Sequence, residues 1–138
     1  MSFRERVAWI TLVSVLVCFG GAYFAPIALG WVNGRGHGAV YLLAHAVLAL
    51  VLLQAGLTWW AARASGHADR APGDEREAAI VARSHTLGYY LLLALVLGLS
   101  LPAHYGHPIP DLLNFVLADV VITVAAVAAA QIVMLRRG

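Results

Sequence analysis

Four apolar runs, each long enough to cross a bilayer, constrain the fold of this chain more than any other feature. Three of them are residues 7–29, 39–62 and 112–135, and the fourth lies in a helix that starts at residue 74 and ends near residue 101. A helix needs about 20 apolar residues to cross a bilayer. Only 12% of the chain is charged and 62% is hydrophobic, which is too few charges to cover the surface of a soluble domain. The sequence therefore predicts an all-α integral membrane four-helix bundle.

Two of the helices have recognisable start signals. Residues 74–90 read DEREAAIVARSHTLGYY, in which Asp74 and Glu77 have the spacing of a capping box. We expect this helix to begin in water and to enter the membrane near His85. Ser2 and Glu5 have the same spacing and predict the start of the first helix.

Arginine placement predicts the orientation in the membrane. Eight of the nine arginines fall at one end of the four spans, and only Arg35 falls at the other. By the positive-inside rule, both termini and the linker 63–73 are then cytoplasmic. Nine arginines without a lysine are typical of a GC-rich bacterial genome, so we expect a multi-pass protein of the bacterial inner membrane. It would be a single membrane domain, with a first hairpin at 1–62 and a second at 74–138.

The two predicted hairpins share a weak internal repeat at an offset of 70 residues. Residues 5–14 and 75–84 have Glu-Arg-x-Ala-x-Ile-x3-Ser in common, and the Gly-His pair at 36–37 recurs at 106–107. A true repeat predicts two tandem related hairpins about an axis along the membrane normal, whereas chance similarity between apolar hairpins is the alternative. The repeat also argues against reading residues 1–22 as a cleaved signal peptide, since the first helix would be the counterpart of the third.

Three short motifs resemble those of a known family. They are MSFRER at residues 1–6 followed by Ala8-Trp9-Ile10, DER at 74–76 leading to Gly88-Tyr89-Tyr90, and the closing stretch from Gln131 to Arg136-Arg137-Gly138. Together they are similar to a family of small bacterial inner-membrane proteins with four spans and a DER-type motif before the third. The resemblance implies the architecture alone, and it brings no activity, cofactor or catalytic residue.

Asp119 is the strongest single candidate for a functional residue, because a carboxyl group inside a span is costly and usually faces the interior of a bundle. One interpretation is a proton or cation site lined by Gln54, Thr58 and Thr123. The other is a neutral carboxyl hydrogen-bonded across helices to His45, Gln54 or Thr123, since polar side chains commonly hold membrane helices together.

Charged residues gather where the first and third helices start. We expect an interfacial ion-pair cluster there, in which Glu5-Arg6 and Glu75-Arg76 pair reciprocally. Its members are Glu5, Arg6, Asp74, Glu75, Arg76, Glu77 and Arg83. The alternative is a docking surface for a cytoplasmic partner.

Histidines cluster at the opposite end of the predicted bundle. His37, His104 and His107, with Asp111 nearby, are residue types that bind zinc or copper, although their spacing matches no known ligand pattern. Solvated turn residues are the alternative interpretation. We expect no cofactor, because haem would need a second imidazole at the depth of His45.

No catalytic motif stands out, so we expect a protein that is not an enzyme. The primary prediction is a role in helix packing with itself, as a homodimer, or with a membrane-protein partner. The small residues at 125–130 would form either the contact between hairpins or the dimer contact. The alternatives are a small proton- or cation-coupled transporter or channel using Asp119, and outward-facing metal binding. The bilayer is the expected surrounding, and the net charge of +2 gives no reason to expect nucleic acid.

Overall fold

Four helical spans make up the part of the chain described by the computed structural model, residues 2–65 and 75–137. Span 1 is Phe3–Ala28, span 2 is His37–Ala64, span 3 is Glu75–His104 and span 4 is Ile109–Arg136. By length and composition each of them can cross a membrane. The prediction of an all-helical chain with four spans is confirmed for these described ranges.

Span 1 changes its helical form halfway along. It begins with α1 (Phe3–Val15), continues as a π-helical segment (Leu16–Phe24) and ends in α2 (Ala25–Ala28). The hydroxyl of Ser2 accepts a hydrogen bond from the Glu5 N–H at 3.2 Å, which confirms the predicted start. Pro26 has no N–H and its ring disfavours an ordinary α-helical turn just before it, so the wider turns lie where a proline would disturb the helix.

The other spans differ from prediction mainly at their ends. Span 2 is α3 (His37–Ala64), so it runs two residues further at each end than predicted and takes Arg63 into the helix. Span 3 consists of α4 (Glu75–Gly98) and α5 (Ser100–His104). Pro102 explains the break between them, because it has no N–H to donate to the carbonyl of Gly98. Span 4 is α6 (Ile109–Arg136), and it includes Pro110 in its first turn, where a missing N–H costs nothing. The predicted cap Asp74 and residues 66–73 of the linker lie outside the described residues.

The four spans are arranged in the order 2-1-4-3. Span 1 packs against spans 2 and 4, and span 4 packs against spans 1 and 3, whereas spans 2 and 3 do not pack against each other in the described ranges. In their most apolar stretches, 33% of the residues of span 1 and 28% of those of span 4 are buried, against 6% for each of spans 2 and 3. The core joins span 1 to its two neighbours, with Val15, Cys18, Phe19 and Tyr23 packed on Ala46 of span 2 and, from span 4, on Leu117, Val121 and Val124.

This order lacks the two-fold relation that the repeat predicts. A two-fold axis would match the packing of span 1 on span 4 with an equivalent packing of span 3 on span 2, which the described residues do not form. Span 1 nevertheless packs against span 2, and span 3 packs against span 4.

The bundle has two chemically distinct ends. At one end, spans 1 and 3 begin and spans 2 and 4 finish. We call this end the arginine end. Of the described arginines it carries Arg4, Arg6, Arg63, Arg76, Arg83, Arg136 and Arg137. At the opposite end, called the loop end, the two interhelical turns lie together around Arg35 and Asp111.

Candidate functional site

The seam between spans 1 and 4 holds most of the buried polar side chains. Six polar or charged residues of the described chain are buried, and four of them, Glu5, Ser14, Asp119 and Thr123, belong to these two spans. Burying a polar group is unfavourable unless it is hydrogen-bonded, so each of the four requires a partner. The seam is therefore the place where function or specificity is most strongly indicated.

Asp119 lies in the middle of this seam. The residue is only 8% exposed. The Oδ2 atom of its carboxyl group has no hydrogen-bond partner among the described residues. Span 1 runs antiparallel to span 4, since Glu5 meets Arg136 at one end and Tyr23 meets Asn114 towards the other. This register puts Asp119 at the level of the π-helical segment, a type of irregularity that is frequent at functional sites.

The polar residues predicted to pair with Asp119 do not do so. The hydroxyl of Thr123 donates instead to the backbone carbonyl of Asp119, at 2.8 Å. His45 is exposed on span 2, where its Nδ1 atom lies 2.7 Å from the carbonyl oxygen of Tyr41. Gln54 follows the buried Ala46 by eight residues, about 12 Å along the helix, and Thr58 lies one turn further. The predicted lining of Asp119 by span 2 is therefore not formed.

A groove approaches Asp119 from the side of span 3. It has a volume of about 460 Å³ and is lined by residues of spans 1, 3 and 4, including Thr11, His85, Gln131 and Thr123. Thr123 is one helical turn, about 6 Å, from Asp119. A mainly apolar groove with a few polar side chains thus reaches to within one turn of the buried carboxyl group.

Ion pairs at the arginine end connect spans that are far apart in sequence. Arg136 Nε donates to Glu5 Oε1 at 2.7 Å, joining spans 1 and 4. Arg4 Nε lies 3.3 Å from Glu77 Oε2, which joins spans 1 and 3. Both ion pairs use an arginine that sequence reasoning left out of the predicted cluster: Arg136 with Glu5 and Arg4 with Glu77.

The remaining members of the predicted cluster have separate surroundings. Arg6 donates to the hydroxyl of Ser65 at 3.1 Å, so it fastens span 1 to the end of span 2 instead of pairing with an acid of span 3. Glu75 is exposed at the start of α4. Arg76 and Arg83 line a groove between α4 and α6.

Asp111 is held by an arginine at the loop end. Arg35 binds it through two hydrogen bonds, Nε to Oδ1 at 2.9 Å and a terminal nitrogen to Oδ2 at 2.6 Å. These bonds raise the pKa of Arg35 above its usual value. A carboxylate that is bound on both oxygens by a guanidinium is a poor metal ligand, because the guanidinium occupies the lone pairs that a metal ion would need.

The predicted metal-binding histidines are not brought together. His104 Nδ1 is 2.6 Å from the carbonyl oxygen of Ser100, and His107 meets the ring of Phe115 edge-on at 5.9 Å. His37 is the first residue of α3. Across residues 2–65 and 75–137, no three His, Cys, Asp or Glu side chains form a group that could hold a metal ion.

Asn114 is a structural residue that sequence reasoning missed. Its Oδ1 atom accepts from the Tyr23 hydroxyl at 2.7 Å, and its amide nitrogen donates to the carbonyl of Gly34 at 3.0 Å. One side chain thereby joins span 1, the first turn and span 4. The available signal was a lone amide in an otherwise apolar stretch.

A close contact between spans 3 and 4 was also missed. Gly88 lies so near Val127 that a Cβ atom added to it would overlap the Cγ2 atom of that valine. One turn away, the Gln131 amide donates to the buried Ser84 hydroxyl at 3.0 Å, and that hydroxyl donates to the carbonyl of Val81 at 2.8 Å. A glycine and a serine one turn apart on an apolar helix are typical of close membrane helix packing.

No protein-family model, curated protein or solved structure matches this chain. The functional conclusions below therefore follow from the packing of the spans and from the polar side chains that they bury or expose.

Proposed function

We propose that the protein is a non-enzymatic assembly unit of the bacterial inner membrane, which packs its outer spans against a second copy of the chain. In the alternative form of this role, the outer spans pack against a different membrane protein. The observation that carries the proposal is the open order 2-1-4-3, in which spans 2 and 3 each pack mainly on one neighbour and do not pack against each other in the described ranges. A closed four-helix bundle gives every helix two neighbours. A partner that packs on spans 2 and 3 would supply the missing contacts.

The outer face of span 2 has features suited to a helix partner. His45 exposes an imidazole about 12 Å from the start of α3, a depth at which a polar group facing lipid is costly. Gly56 lies further along the span, and no described atom is within 4 Å of a Cβ atom built on it. Small residues let helix backbones approach closely, and polar groups then bond across the contact.

The test is to count subunits in lipid nanodiscs by single-molecule photobleaching. We expect two bleaching steps for the parent protein and mainly one for Gly56→Leu, which puts a bulky side chain into the proposed contact. Gly20→Leu is the matched control, since Gly20 is also an exposed helical glycine with no described atom within 4 Å of an added Cβ. It lies on span 1, so it should leave the count at two.

Each result has a defined meaning for this proposal. One-step bleaching of the parent at every protein-to-lipid ratio refutes self-association. A monomer that co-purifies with one membrane protein in a fixed ratio, and loses it in Gly56→Leu alone, supports the heteromeric form. Equal effects of the two leucine substitutions would show that span 2 is not the contact.

A second candidate function, a proton or cation site at Asp119, is favoured by one specific observation. The Oδ2 atom of Asp119 is buried without a described partner, and a groove whose lining includes Thr123 lies one turn away. A carboxyl group in that position can take up and release a proton, and such intramembrane acids often mark ion pathways.

This candidate is tested by flux into proteoliposomes loaded with a pH-sensitive dye. Asp119→Asn should abolish proton- or cation-dependent flux while the protein still folds. Asp111→Asn is the control, because it removes another carboxylate from the same helix at the loop end. Flux that survives Asp119→Asn removes the transport interpretation.

A further inference from the structure

A groove of about 380 Å³ lies between α4 and α6 at the arginine end. Its apolar side chains include Ile80 and Met134, and its basic side chains are Arg76, Arg83 and Arg137. On α4, Arg76 lies four residues before Ile80 and Arg83 lies three residues after it. These three side chains therefore share one face of the helix. Each helix thus supplies an apolar residue with arginine beside it.

Arg83 and Arg137 are the two arginines of this groove that could bind an anion. Neither forms an ion pair with any residue that the structure describes, whereas Arg4 and Arg136 at the same end both do. Arg83 follows the start of α4 by eight residues, about 12 Å along the helix. A guanidinium at that depth is costly in hydrocarbon unless it reaches the interface or meets an anion.

We propose that this groove binds the headgroup of an anionic phospholipid. The phosphodiester accepts hydrogen bonds from Arg83 and Arg137, because planar guanidinium groups match the geometry of phosphate oxygens. An acyl chain then lies along the apolar face that continues from Ile80 to the exposed Leu87, seven residues on. Basic pockets between membrane helices on the cytoplasmic side are a general mode of anionic lipid recognition.

The surrounding charge favours a negative ligand. Among the described residues the arginine end carries seven arginines and three acidic residues, and two of the acids are already paired with Arg4 and Arg136. The excess positive charge lies next to apolar surface. This combination fits a molecule with an anionic head and an apolar tail better than a free inorganic anion.

Native mass spectrometry of the detergent-purified protein tests the proposal, with phosphatidylglycerol and phosphatidylcholine of identical chains as probes. We expect phosphatidylglycerol to bind the parent more tightly, and Arg83→Gln or Arg137→Gln to weaken it by about fivefold to tenfold each. Arg63→Gln is the matched control: it removes one charge from the same end, but Arg63 lies over the ring of Trp59, at 4.0 Å, on span 2. It should change the affinity by less than about twofold.

Three outcomes would overturn the proposal. The first is equal binding of the two lipids by the parent, and the second is an equal loss in Arg63→Gln, which would show a general charge effect. The third is displacement of phosphatidylglycerol by millimolar inorganic phosphate, which would identify a site for a soluble anion. Thermal melting of every variant checks the fold, and if one groove variant unfolds, the other carries the test.

Discussion

Replacing Gly88 with alanine tests how closely spans 3 and 4 are packed. The added Cβ atom would overlap the Cγ2 atom of Val127 and would lie 3.6 Å from the Cγ2 atom of Thr123. Valine in a helix has one strongly preferred side-chain rotamer, so Val127 cannot swing away. The helices must move apart to relieve the overlap.

The expected size of the effect is the difference of two contributions. Overpacking a well-packed contact costs about 1–3 kcal/mol, while alanine gains about 1 kcal/mol over glycine in helix propensity. We therefore expect Gly88→Ala to lower the free energy of unfolding by about 1 kcal/mol. In a Val127→Ala background the overlap is gone, and the same substitution should become stabilising.

Reversible unfolding in mixed detergent micelles, followed by tryptophan fluorescence, measures all four members of this double-mutant cycle. The coupling between the two sites should be about 1–3 kcal/mol. Gly98→Ala is the control on the same helix, because no described atom lies within 4 Å of its added Cβ, and it should not destabilise. Additive effects of the two substitutions, within about 0.5 kcal/mol, would refute the close packing.

Three further substitutions give distinct expectations. Tyr23→Phe removes the 2.7 Å hydrogen bond to Asn114 and leaves the partly buried side-chain carbonyl oxygen of Asn114 without that donor, so the free energy of unfolding should fall by about 1–2 kcal/mol in the same detergent titration. Arg35→Gln should lower the melting temperature at low salt, with a difference from the parent that shrinks at high salt, because its ion pair with Asp111 is partly exposed; an unchanged difference would contradict this. Asp119→Leu should leave stability unchanged or raise it by up to about 3 kcal/mol, since it removes an unsatisfied buried oxygen. A clear loss of stability would show that Asp119 has a partner after all.

The type and number of helices could be predicted from the sequence because the length and apolar composition of each run favour a single structure. An apolar run of sufficient length has to satisfy its backbone internally, so each of the four runs reads as a helix. The Ser2–Glu5 cap was equally readable, since it depends on residues three apart.

The neighbours of each span could not be predicted in the same way. In lipid the outward and inward faces of a helix are both apolar, so hydrophobic periodicity does not indicate which face meets protein. The order 2-1-4-3 depends on local shape at residues such as Gly88 and on pairs as distant as Glu5 and Arg136. The equivalence of the two hairpins, taken from short shared motifs, pointed to a symmetry that the packing does not have.

For the candidate site, the sequence identified the residue but not its surroundings. Asp119 was recognisable because a carboxyl group in an apolar span is rare. Its expected partners on span 2 were wrong, because span 2 packs near span 4 at the level of Ala46 and Gln54 lies about 12 Å further along the helix. The role of Asp111 was obscured for a related reason: only the folded loop end shows that Arg35 reaches it.

The central position of spans 1 and 4 has a consequence for biogenesis. During translation, the residues that span 1 buries against span 4 remain uncovered until spans 2, 3 and 4 have all been made. Until then Glu5 lacks its partner Arg136, and Ser14 lacks the seam that buries it. The core of spans 1 and 2 therefore lacks its contacts with Leu117, Val121 and Val124 until span 4 has been made, and any delay in making span 4 prolongs the exposure of those faces.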